Sequence, residues 1–403
     1  MKKLLVTIIK FLKKENYVKY LILFLILFLG FSLFFLLAGD DVANNVFGTV
    51  VGFLFSTILL YILKIASSKF EDVLKVSCDT KKILKIYNGD KEYRKTLRLN
   101  NTSVDFAYAL RYIHDETYKL KVIDDSKKEF QLDDFIVENY STIMHAHRNS
   151  TVINGKTIRL DNFIKDDKNK ECLFYLSRST NFNHLVTNRA IDANIFDTYS
   201  LRDIYEYGPT ISNLEDSKMS NHIGINALVF LNDGNILVPR RKKNSTISKN
   251  KITSSIAVKL NFPKDGRDSI DENHLFYQNV IDSLNDRLKL KKSDINTNDI
   301  DLKFLGFGQS LYEAGKPQFY FVITLKNIDT FKYYQLNLDK TIVQKLDADR
   351  CVYVADYNSF RLINNKLQFR IIKNNFKQST IHSEYEMSYL CNLWHYEENK
   401  KIN

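Results

Sequence analysis

Residues 20–39 (YLILFLILFLGFSLFFLLAG) carry no charge, and residues 42–63 are again uncharged up to Lys64. Only Asp40 and Asp41 separate them. A helix of about 20 apolar residues matches the thickness of a bilayer core. Backbone groups in lipid must be satisfied within the segment, so each stretch is expected to be a transmembrane helix and the pair a hairpin. A cleaved signal peptide fits less well. The first stretch exceeds a signal h-region, no A-x-A site follows, and a second apolar stretch comes directly after it.

Lysine placement sets the expected orientation. Lys2, Lys3, Lys10, Lys13, Lys14 and Lys19 precede the first stretch, Lys64 and Lys69 follow the second, and the turn between has none. The positive-inside rule places both termini in the cytoplasm, giving a multi-pass protein of the cell inner membrane with membrane lipid as a partner. Residues 2–14 read either as an interfacial helix or as a basic flank. Gly48, Gly52 and Ser56 share one helix face that permits close packing, within the hairpin or between copies. Neither stretch holds an ionisable residue, which argues against a pump.

Composition agrees once it is divided. A net charge of +11 and a mean hydropathy of −0.27 describe a basic polar chain. Residues 1–66 contribute +4 and the other 337 residues +7. With 13 Gly, 4 Pro and 4 Cys in 403 residues, collagen-like and disulfide-scaffold classes are excluded. Cys78, Cys172, Cys351 and Cys391 stand apart, which fits a reduced compartment and no zinc site. His145 and His147 would share one side of a strand, but no third ligand accompanies them, and no metal is assigned. Asn-x-Ser/Thr sequons such as those at Asn101, Asn149 and Asn244 read as accidental in a cytosolic chain.

Three regions are expected: a membrane region 1–66, a linker or α/β lead-in 67–170 with no catalytic signature, and an α/β domain 171–403. In the last, residues 223–231 (IGINALVFL), the Asn232-Asp233-Gly234 turn and residues 235–239 form a strong hairpin signal. Arg240, Arg241, Lys242 and Lys243 follow it. Residues 200–207 read as a helix, 252–260 as a strand, and 272–291 as an amphipathic helix carrying Leu275, Val280, Leu284 and Leu288 at helical spacing. Residues 302–307 and 318–326 read as strands, as do three runs after 331, before a closing helix at 382–396.

This order, with the hairpin 231–243 (LNDGNILVPRRKK), resembles the Nudix family, whose box is G-x5-E-x7-R-E-U-x-E-E-x-G-U, U being apolar. Gly266 and Glu272 match its start. The remainder departs and needs two extra residues after Glu272. Asp282 and Ser283 stand where the family has Arg-Glu, and Asp286 and Arg287 where it has paired glutamates. The resemblance therefore implies a mixed-sheet α/β/α Nudix-like sandwich that binds a nucleotide without Mg²⁺-dependent hydrolysis, since one carboxylate remains where Mg²⁺ needs several oxygen ligands.

Hairpin and degenerate Nudix domain together resemble the transmembrane-Nudix effectors of bacterial cyclic-oligonucleotide antiphage signalling (CBASS). That resemblance implies a cyclic nucleotide second messenger as activator, made by a partner synthase, with no cofactor, metal or nucleic-acid polymer. Binding would drive homo-oligomerisation, membrane disruption and abortive infection. Arg240, Arg241, Lys242, Lys259 and Arg287 surround the cleft expected of such a fold and suit phosphate. Tyr312 and Tyr320 offer stacking faces for bases. The plainer alternatives are a solvated basic loop at 240–243 and aromatics that serve the core. Two other functions remain: a membrane-tethered Nudix hydrolase using Glu272, Asp282 and Asp286, and a membrane scaffold for a protein partner.

Overall fold

Short apolar runs separated by polar turns build sheets, and the computed structural model of the chain is mostly β. It describes residues 79–87, 91–145, 147, 152–194, 199–241, 250–288, 290, 296–338, 350–373 and 377–402. Helix α1 (Thr80–Ile86) precedes strands β1 (Arg94–Leu99), β2 (Thr102–Ala107), β3 (Ala109–Ile113) and β4 (Lys119–Glu129). Helices α2 (Asp134–Glu138) and α3 (Tyr140–His145) lead to β5 (Lys156–Asp166) and β6 (Glu171–Thr180). Next come α4 (Asn181–Val186), α5 (Leu201–Tyr205), β7 (Gly224–Leu231), β8 (Asn235–Arg241) and β9 (Ile256–Lys259). A π-helical turn at His274–Gln278 runs into α6 (Asn279–Leu288), followed by β10 (Ile300–Ser310), β11 (Lys316–Leu325) and α7 (Thr330–Leu338). Strands β12 (Arg350–Ile363), β13 (Lys366–Ile372) and β14 (Gln378–Ser383) and helix α8 (Met387–Ile402) complete the order.

The main sheet runs β14-β13-β12-β8-β7-β11-β10-β3, with β9 also on β7. All pairs are antiparallel except β7 with β11. All eight residues of β7 are buried, as an unbroken apolar run at the centre of a covered sheet should be. Its alternate side chains feed two cores. Ile225, Ala227, Val229 and Leu231 face one, with Phe319, Phe321 and Ile323 of β11 and with Leu275, Val280, Leu284 and Leu288 of the helical segment. Leu228 and Phe230 face the other, with Tyr320 and Val322 of β11 and with Tyr389, Leu390, Leu393 and Trp394 of α8.

Each covering layer also contains strands. The three-stranded sheet β4-β6-β5 adds Phe163 and Phe174 to the first core, and the β1–β2 hairpin adds Leu97, Leu99 and Phe106 to the second, with Tyr108 directly after it. This corrects the expected α/β/α sandwich. The central sheet is covered on each face by helix and strands together, because residues 94–166 supply β1–β5 instead of a separate lead-in.

The expected membrane hairpin and multi-pass inner-membrane placement are also corrected. Among the described residues no helix is long and apolar enough to cross a membrane. The longest described α-helix, α8, has 16 residues and carries Glu397, Glu398, Lys400 and Lys401. The stretches 20–39 and 42–63, with Gly48, Gly52 and Ser56, lie outside the described residues.

Local expectations fare unevenly. The hairpin forms, with Gly234 at φ +80° and the Asp233 carboxylate accepting the Asn235 and Thr330 amides. The helix expected at 200–207 is α5, opened by a Ser200–Asp203 capping box. The strand-like run after residue 331 is instead helix α7. Asp329 starts it by accepting the Lys332 amide, and capping outweighs the β-propensity of its tyrosines. The closing helix begins at Met387, and His382 belongs to β14.

Candidate functional site

A cavity of about 410 Å³ opens where α4, β7, β9, β11, the end of α6 and the start of α8 meet. Among the described residues six cations line it: Arg189, Arg241, Lys251, Lys259, Arg287 and Lys316. Two carboxylates, Glu313 and Glu386, oppose them. Glu313 lies between Arg189 and Lys316, 3.5 Å from each. Burial works against its charge, but those two cations outweigh burial and hold its carboxyl below the usual range. Arg241 Nε donates to Glu386 at 2.5 Å. Burial lowers the Lys259 ammonium, which donates to the Asn181 side chain at 2.9 Å.

The floor is polar and ordered. Glu313 accepts from Gln318 Nε2 at 3.3 Å, and Gln318 Oε1 accepts from Asn226 Nδ2 at 2.7 Å. Gly224 leaves room for this chain, because a Cβ there would lie 2.1 Å from Gln318 Oε1 and would push that side chain aside. His184 and His222 also line the cavity, their rings stacked 3.6 Å apart. Burial pushes both imidazoles well below their ordinary value, so both are neutral.

Five of the seven residues expected to bind ligand lie along this cavity: Arg241, Lys259, Arg287, Tyr312 and Tyr320. They come from five separate elements and meet only through the fold. Arg240 does not join them. Successive strand residues point to opposite faces, so Arg241 turns inward while Arg240 donates to the Asn250 carbonyl at 3.3 Å. Lys242 lies outside the described residues.

The tyrosines are wall, not open platforms. Tyr320 is 1% exposed and stacks on His395 at 4.7 Å. The Tyr312 hydroxyl bonds Thr80 Oγ1 at 2.8 Å and accepts the Ala107 amide at 3.1 Å. Base stacking on either ring is thus replaced by packing.

At the Nudix-like positions, Gly266 has φ +85°. Glu272 accepts the Val122 amide of β4 at 2.9 Å, and Asp282 accepts from Gln278 at 3.1 Å. The first ties the start of the helical segment to β4, and the second is an i,i+4 contact within that segment. The side chain of Asp286 is not among those described. Among the described residues no group of three His, Cys, Asp or Glu side chains is placed to hold a metal ion.

Sequence reasoning missed Arg189, Lys316, Glu313 and the two histidines. Each is isolated in the sequence, and nothing in its neighbours announces a site. Only the Gly315 turn beside Lys316, φ +80°, was a local signal. No protein-family model matches the chain, and no curated protein matches it.

Proposed function

We propose that this cavity binds a small phosphodiester-bearing nucleotide, a cyclic nucleotide second messenger, and that the domain acts as its sensor. The observation that carries this reading is the convergence of six cations against two carboxylates in one cavity. Ligand pockets of about 300–1,000 Å³ hold small molecules, and this one falls in that range. Focused positive potential selects an anion and speeds its capture. Arg forks and Lys point charges fit phosphodiester oxygens, while the amides of Asn226 and Gln318 suit a base edge. Glu272 and Asp282 are engaged by protein partners, which favours binding over metal-assisted hydrolysis. A separate synthase supplies the ligand in this reading, and binding promotes self-association of the chain, the output of an antiphage effector.

The test is a thermal-shift series of cyclic di- and trinucleotides on the full-length chain. At 100 times Kd a ligand adds about 2.7 kcal/mol to stability. A saturable rise in Tm is expected for at least one of them. It should weaken with salt and be lost in Lys259→Glu and Lys316→Glu. No shift with any compound refutes the reading. Release of mononucleotides in the presence of Mg²⁺ refutes the assignment as a sensor without hydrolysis.

A further inference from the structure

Two stacked histidines line the same cavity. His184 and His222 are each 7% exposed, and Nδ1 of each ring lacks a hydrogen-bond partner. Their planes lie 29° apart with centroids at 3.6 Å. The groups facing them come from every neighbouring element. Arg189 follows α4, Lys259 lies on β9, Lys316 on β11, and Glu313 in the turn before it. Asn188 stands beside His184, and His147 sits against Leu185 of α4. Arg241, Lys251, Arg287 and Glu386 complete the charged lining.

Two neutral imidazoles in a cationic cavity are an uncommon choice for holding an anion, since more cations would serve that purpose. Their neutrality has a cause: burial first, then the cations around them and, for His184, the neighbouring His222 ring, disfavour protonation. An arriving phosphodiester supplies the negative charge that offsets those cations. The ring nitrogen then gains a proton from solvent and an oxygen to donate it to, and a charge-assisted hydrogen bond forms.

We infer that His184 and His222 are ligand-reading residues, and that binding of the phosphodiester is coupled to uptake of a proton by this pair. The inference rests on the nucleotide reading of the same cavity. Affinity therefore rises as pH falls, by up to about tenfold per pH unit for one proton taken up. A ligand of equal size without negative charge gains nothing from acid.

The test is isothermal titration calorimetry of the full-length chain. The probes are cyclic di-AMP, cyclic di-GMP and cyclic GMP–AMP, at pH 6 and pH 8, in buffers of different ionisation enthalpy. A phosphodiester has no proton to exchange in that range, so any pH dependence belongs to the protein. The expected result is binding about tenfold tighter at pH 6 than at pH 8, with heats that vary with buffer in the sense of proton uptake. His184→Asn and His222→Gln should lose the pH slope of binding. Binding that is equal at both pH values and indifferent to buffer overturns this inference and leaves the nucleotide reading standing. Variants that keep the full slope overturn it as well. Should a variant fail to fold, the buffer dependence of the unmodified chain decides alone. No binding of any probe at either pH overturns the nucleotide reading and this inference together.

Discussion

Replacing Asp124 by Ala should be among the most costly single changes in the domain. Asp124 on β4 pairs with Arg178 on β6 through two bonds, at 2.6 and 2.8 Å, with side chains 6% and 1% exposed. The same carboxylate accepts the Ile270 amide at 2.8 Å, tying the loop before the helical segment to the three-stranded sheet. Asp124→Ala leaves a guanidinium buried without its main partner. Breaking a buried pair from one side costs about 3–5 kcal/mol. The Asp268 carboxylate stays 3.5 Å from Arg178 Nε and its carbonyl accepts from Nη2, which places the cost near the lower end, about 3 kcal/mol. Trp394 is the only tryptophan and is 7% exposed, so its fluorescence reports unfolding of the second core in urea. With a urea m-value of about 3 kcal/mol/M or more for a domain of this size, a loss of that size moves the midpoint by up to about 1 M. Asp124→Leu with Arg178→Met should recover most of the loss, because the stranded charge, not the missing attraction, carries the cost. A single-variant cost below about 1 kcal/mol, or a double variant no more stable than the single, would show the reasoning wrong.

Three other outcomes follow from the same coordinates. Burial pushes the Glu206 carboxyl up to about 7 from its ordinary 4.5. Its contribution is whole below pH 4.5 and fades as pH rises through 7, by about 3 kcal/mol in all; denaturation at stepped pH should show that fall, and Glu206→Gln should flatten it. Tyr312→Phe deprives Thr80 and the buried Ala107 amide of their shared hydroxyl and should cost about 1–3 kcal/mol, read as faster hydrogen exchange at Ala107. Gly306→Ala places a Cβ 2.2 Å from the Tyr112 carbonyl of β3 at φ +137°, where β10 bulges against β11, and should lower stability by about 2–4 kcal/mol; an unchanged Tm would refute the close approach.

Much of the local structure was legible because its causes are local. The Asp233-Gly234 turn, the capping residues of α5 and the apolar spacing of Leu275, Val280, Leu284 and Leu288 act within a few residues of themselves. The helix at Thr330–Leu338 was misread because tyrosines favour strands, whereas its start depends on one carboxylate at Asp329. The site was half legible for a related reason. A basic run draws attention to Arg240 and Arg241 alike, yet strand alternation sends only Arg241 to the cavity. Arg189 and Lys316 carry no such flag.

The sequence by itself determined the division of the chain into an apolar basic front and a polar remainder, the turns and most of the strand-forming runs, since these follow from hydropathy and short-range sterics. The tertiary structure decided that residues 94–166 cover and extend the main sheet, because a strand's partners are set by which apolar faces remain to be buried. It also decided which charges share a cavity. Arg189, Lys259, Glu313 and Lys316 are scattered over 128 positions, and only the pairing of β7 with β9 and β11 brings their fields to bear on one another.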